Sequence, residues 1–126
     1  MPTQHEEELA TAIVQCAYAV HTNLGPGLLE GVYERCFRYE LEKRRIPYEK
    51  QFLVPLVYDG VKLPWKLRLD VLVDKRIVCE LKAVEALIPL FVSQILTQLK
   101  IADLHLGFLI NFNVPVIKEG IRRLIR

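Results

Sequence analysis

Apolar residues recur at intervals of three and four through Leu9, Ile13, Cys16, Ala17, Val20 and Leu24, describing one face of a helix that starts near Thr3 or His5. That pattern stops at Gly25-Pro26-Gly27, a strong breaker. A second helical stripe runs from about Leu28 through Leu29, Val32, Tyr33, Cys36, Phe37, Tyr39 and Leu41, and Pro47 closes it after Lys43-Arg44-Arg45. The period then becomes strand-like. Phe52–Tyr58 and Val61–Val73 flank Asp59-Gly60, a favoured hairpin dipeptide, while Pro55 and Pro64 mark an edge or bulges. Ile77–Lys82 reads as a third strand. Helical spacing returns from about Pro89 to Asp103 through Leu90, Ile95, Leu96, Leu99 and Ile101, and Leu104–Phe112 is a nearly continuous apolar strand of the fully buried kind. Val116–Arg126 has two readings: a short helix through Ile117, Ile121, Leu124 and Ile125, or an edge strand over Ile121–Ile125. The order helix, helix, three meandering strands, helix, strand predicts an α/β (α+β) fold with a small mixed sheet flanked by helices.

Composition narrows this little. A chain of 126 residues that is 52% hydrophobic is expected to form one domain over 1–126 with its own core rather than a disordered segment. Its charge of +2, from 17 basic and 15 acidic residues, excludes a strongly basic coat protein and leaves the partner open. Cys16, Cys36 and Cys79 are odd in number and set in apolar runs, which suits reduced core thiols better than disulfides or a zinc site. Residues 1–8 are polar and acidic, unlike a signal peptide, and no apolar run reaches the ~20 residues of a membrane span, so a cytoplasmic location away from membranes is expected. His5, His21 and His105 show no metal spacing with Cys or acidic residues. Lys43-Arg44-Arg45 and the group Lys118, Arg122, Arg123 and Arg126 either track a phosphate backbone or are solvated ends. Tyr58 and Trp65, on the first hairpin, either stack on bases or pack within the sheet.

Candidate chemistry concentrates in Asp70-Val-Leu-Val-Asp-Lys-Arg-Ile-Val-Cys-Glu80-Leu-Lys82, where three ionisable groups interrupt segments that otherwise favour burial. Strand alternation puts Glu80 and Lys82 on one face. A three-residue loop at Asp74-Lys75-Arg76 sets Asp70 directly across from Glu80, whereas a two-residue turn puts them on opposite faces unless a bulge resets the alternation. Two carboxylates so placed can hold Mg²⁺ or Mn²⁺ and lower the pKa of a metal-bound water, with Lys82 reaching the same water or a phosphate. An ordinary cross-strand ion-pair cluster uses the same residue types.

A second motif, Gly27-x-x-Glu30-x-x-Tyr33, precedes this one. Together with Asp70 and Glu80-Leu81-Lys82, it resembles the GxxExxY proteins, a small-protein branch of the PD-(D/E)XK nuclease superfamily. The likeness extends from Ala17-Tyr18 through Gly107-Phe108-Leu109-Ile110-Asn111-Phe112. It implies a restriction-endonuclease-like core of order α-β-β-β-α-β, with Glu30 joining Asp70 and Glu80 as a third acidic metal ligand. A divalent metal and nucleic acid, DNA ahead of RNA, are the implied cofactor and partner. Several nuclease branches carry Gln-x-x-x-Tyr on the helix after the third strand; this chain is similar at Gln94 and departs at Gln98, where that pattern has tyrosine. The implied catalytic set is therefore Glu30, Asp70, Glu80, Lys82 and Gln94. Cutting both strands of a duplex with so small a domain calls for a homodimer. The rival expectation is a catalytically weak or inactive module of the same fold that binds nucleic acid or a protein.

Overall fold

The computed structural model describes residues 1–126. The first helix, α1 (Gln4–Leu24), opens in a capping box: Thr3 Oγ1 accepts from the Glu6 N–H at 3.1 Å, and Glu6 Oε1 accepts from the Thr3 N–H at 2.8 Å. Its stripe of Leu9, Ile13, Cys16, Ala17 and Val20 is buried as the spacing predicts. The second helix, α2 (Glu30–Lys43), begins two residues later than its apolar pattern suggests, because Leu29 is an extended N-cap that stays exposed. It buries Tyr33, Phe37 and Leu41 and leaves Val32 and Tyr39 exposed, a narrower stripe than expected.

Five strands follow in one sheet, ordered as in sequence: β1 (Tyr48–Tyr58), β2 (Val61–Val73), β3 (Ile77–Lys82), β4 (Leu106–Asn111) and β5 (Ile121–Ile125). Only β3 and β4 run parallel, joined through α3 (Pro89–Ala102) as a parallel pair requires. β1 starts at Tyr48 rather than Phe52, since Tyr48, Glu49 and Lys50 pair with Val73, Leu72 and Val71. The C-terminal ambiguity resolves as one turn of 3₁₀ helix (Ile117–Gly120) leading into an edge strand on β4. Helices α1 and α2 cover one face, packing on Val71, Val73, Ile77, Cys79 and Leu81; α3 covers the other through Ile95 and Leu99 against Leu72, Val78 and Leu109. Cys16 and Cys79 are buried, Cys36 is half-buried, and all three thiols are free. No helix is long and apolar enough to cross a membrane.

The Gly27-x-x-Glu30-x-x-Tyr33 segment is largely a structural latch. Gly27 has φ +100°, which favours glycine, and its N–H donates to Asn113 Oδ1 at 3.1 Å. The Tyr33 hydroxyl donates to the Gly25 carbonyl at 2.6 Å and accepts from the Leu28 N–H at 3.1 Å, while its ring stacks on Phe112 at 4.8 Å. This clasp fixes where α2 begins and hence where Glu30 stands. Tyr33→Phe keeps the stack but strands two backbone groups, so it is expected to cost about 1–3 kcal/mol in chemical denaturation. An unchanged midpoint would show that water replaces the hydroxyl freely.

Candidate active site

The turn between β2 and β3 sets the geometry. Asp74 and Lys75 adopt left-handed φ of 50° and 56°, giving the three-residue loop Asp74-Lys75-Arg76 and the register Val73↔Ile77, Leu72↔Val78, Val71↔Cys79. One step further the ladder ends, at Asp70 and Glu80, and carboxylates replace main-chain pairing. Asp70 Oδ2 accepts from the Leu81 N–H at 3.2 Å, and Glu80 Oε1 receives the Asp70 N–H in a long contact of 3.4 Å. Asp70 is buried, and Glu80 is half-buried.

Two irregularities mark the same spot. Leu69 and Leu72, three residues apart, both pack on the α3 side while Val71 packs on the other, so strict alternation breaks beside Asp70. Across β1, Gln51 occupies the place between the pairs Lys50↔Val71 and Phe52↔Leu69, facing Asp70, and has φ 52°. A left-handed glutamine inside a strand costs about 1–2 kcal/mol and persists only where its surroundings impose it. Here Gln51 Nε2 donates to Glu34 Oε1 on α2 at 3.1 Å.

Beyond the end of the ladder, the hairpin and α3 part to form a cleft of about 390 Å³ lined by Asp70, Glu80, Arg68, Gln94, Gln98 and neighbouring residues. Arg68 Nη2 lies 3.8 Å from Asp70 Oδ1 but is mostly exposed, a weak pairing. Burial, then the Asp70 charge and the hydrogen bond with Asp70, push the Glu80 carboxyl up to about 7. Gln98 opposes this, because its Nε2 donates to Glu80 Oε1 at 3.2 Å.

Gln98, noted in the sequence only as the departure from tyrosine and left out of the implied catalytic set, contacts the site directly. It lies three residues beyond buried Ile95 and is itself buried, whereas Gln94 is exposed on the cleft wall. Its position relative to Ile95 and Leu99 was the available signal. Its Oε1 is buried without any hydrogen-bond partner. Buried acceptors seldom stay unpaired, and such atoms call for an explanation.

Glu30 and Lys82 stand differently from expectation. Glu30, exposed at the start of α2, approaches from the α1–α2 side of the sheet, while Glu80 turns towards Gln98 on α3. Partial desolvation and then the Asp70 charge raise the Glu30 carboxyl, with Lys82 pulling it down, so all three belong to one electrostatic neighbourhood. Even so, no three His, Cys, Asp or Glu side chains close into a group that could hold a metal ion. Of the three acidic residues expected as ligands, Asp70 and Glu80 are joined directly through the Asp70 N–H, while Glu30 comes from α2 on the other layer. The Lys82 ammonium sits 4.4 Å over the Phe91 ring rather than on the cleft wall.

The donor set nevertheless fits a hard divalent cation in kind: two carboxylates lie beside an open cleft, backed by a carboxamide that donates to Glu80 through its nitrogen and keeps a buried, unpartnered oxygen. Comparison with the curated proteins and with the solved structures finds no match. A family model does match, over residues 7–124, and with that coverage the chain belongs to the PD-(D/E)XK nuclease superfamily.

Proposed function

We propose that this chain hydrolyses phosphodiester bonds in nucleic acid with the help of Mg²⁺ or Mn²⁺ held by Asp70 and Glu80. The observation that carries the reading is the carboxylate pair at the end of the β2–β3 ladder, with the unpartnered Gln98 oxygen beside it. When bound, such a cation supplies Lewis-acid polarisation of the phosphate and a more acidic water. The protein residues do the rest. Asp70, anchored by the Leu81 N–H, offers its second oxygen to the cleft; Gln98 fixes the rotamer of Glu80 and presents its own oxygen. Lys82, at the end of β3, supplies the ammonium that meets charge developing on the phosphate, with Glu30 in the same electrostatic neighbourhood. Membership of a nuclease superfamily supports nucleic acid as the substrate class.

The separation of Glu30 from the pair favours a second reading, a nucleic-acid-binding module without turnover. Digestion of a mixed nucleic-acid panel in Mg²⁺ and Mn²⁺ decides between them. Wild type is expected to cleave, while Lys82→Ala keeps metal and nucleic-acid affinity and loses roughly 10²- to 10³-fold in rate. Metal-independent binding with no cleavage by wild type would establish the binding module instead.

A further inference from the structure

The β1–β2 hairpin outgrows the sheet. β2 pairs with β3 only from Val71 to Val73, so the rest of the hairpin has no strand neighbour on the β3 side. Tyr58 and Trp65 on this arm are 74% and 68% exposed, so the expectation that they pack within the sheet does not hold. Trp65 stands two residues before Leu67, which lines the cleft, in the stretch where β1 and β2 lose register between Pro55↔Lys66 and Val57↔Lys62, so the arm leads outward from the cleft that holds Asp70 and Glu80. Between Val61 and Arg68 the strand carries exposed Lys62, Lys66 and Arg68 and no acidic residue; Asp59, at the turn, is the only acid from Phe52 to Leu69.

An arm that carries an exposed indole and three exposed cations matches a polyanion that also offers flat π-faces. Bases in a duplex are already stacked and paired, whereas those of a single strand are free to stack on protein aromatics. We propose that the hairpin is the arm that captures unpaired nucleic acid, with a base stacked on Trp65 and its backbone tracked by Lys62, Lys66 and Arg68 into the cleft. This deepens the hydrolase reading and rests on it for the destination of the strand, though capture itself requires no metal.

Trp65 is the only tryptophan in the chain, so its own fluorescence reports stacking. The test titrates the whole protein in chelator with an oligodeoxythymidylate of about 12 nucleotides, a length within the site sizes of single-strand binders. A blunt duplex of equal length serves as the comparison. Strong quenching by the single strand and little by the duplex is expected. Trp65→Ala should weaken single-strand affinity, read by anisotropy, roughly 5- to 100-fold, and Trp65→Tyr should recover most of it. Lys62→Glu and Lys66→Glu should each reduce the slope of log affinity against log salt by about 0.7. No quenching with unaltered affinity in Trp65→Ala, or tighter binding of the duplex, would overturn the arm even if wild type cleaves. A dimer that Trp65→Ala dissociates, with no quenching by oligonucleotide, would reassign the hairpin to self-association and overturn it equally. Quenching without cleavage in any metal would support the arm and sink the hydrolase reading alone.

Discussion

Asp70→Asn is expected to abolish cation binding and to lower cleavage on the order of 10³-fold or more while leaving the metal-free fold at least as stable as wild type. The asparagine keeps an oxygen for the Leu81 N–H, so the anchor of the strand end survives. What disappears is one of two crowded negative charges, whose repulsion is among the causes that raise the Glu80 carboxyl. Removing it relieves the apo protein and disarms the site in one change. Gln98→Leu should act more mildly. It removes the donor to Glu80 and the unpartnered oxygen, with an expected 10- to 100-fold loss of metal affinity, the range seen when a supporting group around a metal site is lost. Denaturant titration beside calorimetry separates these effects: strong destabilisation by Asp70→Asn would mark the cluster as structural.

The second large effect is a fall in metal-free stability between about pH 4.5 and pH 7. The Glu80 carboxyl rises from 4.5 to about 7 on folding, so the native chain binds its proton more tightly than the unfolded chain does. Stability from this source is fully present below the unfolded value and is lost as pH rises through about 7, a change of roughly 3 kcal/mol. Glu30, also raised, has the same sign. Glu6 and Glu40 are held low, by the Thr3 cap and by Arg44, and their contributions vanish only as pH falls below the usual carboxylate range. The two effects therefore occupy different pH windows. Glu80→Gln should flatten the upper one, and saturating Mg²⁺ should restore wild-type stability above pH 7, because the cation takes the proton's place.

Much of this was legible in the sequence for identifiable reasons. Asp59-Gly60 marks the first hairpin, and counting made the facing of Asp70 with Glu80 depend on the length of the second turn; the left-handed Asp74 and Lys75 select the three-residue loop that sets them across from each other. The start of α2 was misplaced because Leu28 and Leu29 extend the apolar pattern, although the Tyr33 clasp holds them outside the helix. The C-terminal strand was ambiguous because its form depends on a vacant edge of β4, which is tertiary information. The role of Gln98 was not legible, since a glutamine in place of tyrosine says nothing of burial, and only packing on α3 reveals a buried carboxamide bonded to Glu80. That Glu30 arrives from α2, on the other layer from Gln98 on α3, was not legible because spacing in sequence does not say from which layer a side chain comes.

The central claim is a cation site built by Asp70 and Glu80, and calorimetric titration of the metal-free protein with Mn²⁺ and Mg²⁺ near pH 6 and pH 8 tests it most directly. The account predicts saturable binding at one site, tighter at the higher pH, with proton release at the lower pH and loss of both in Asp70→Asn. Absence of binding at both pH values, or binding that Asp70→Asn leaves unchanged, would contradict it.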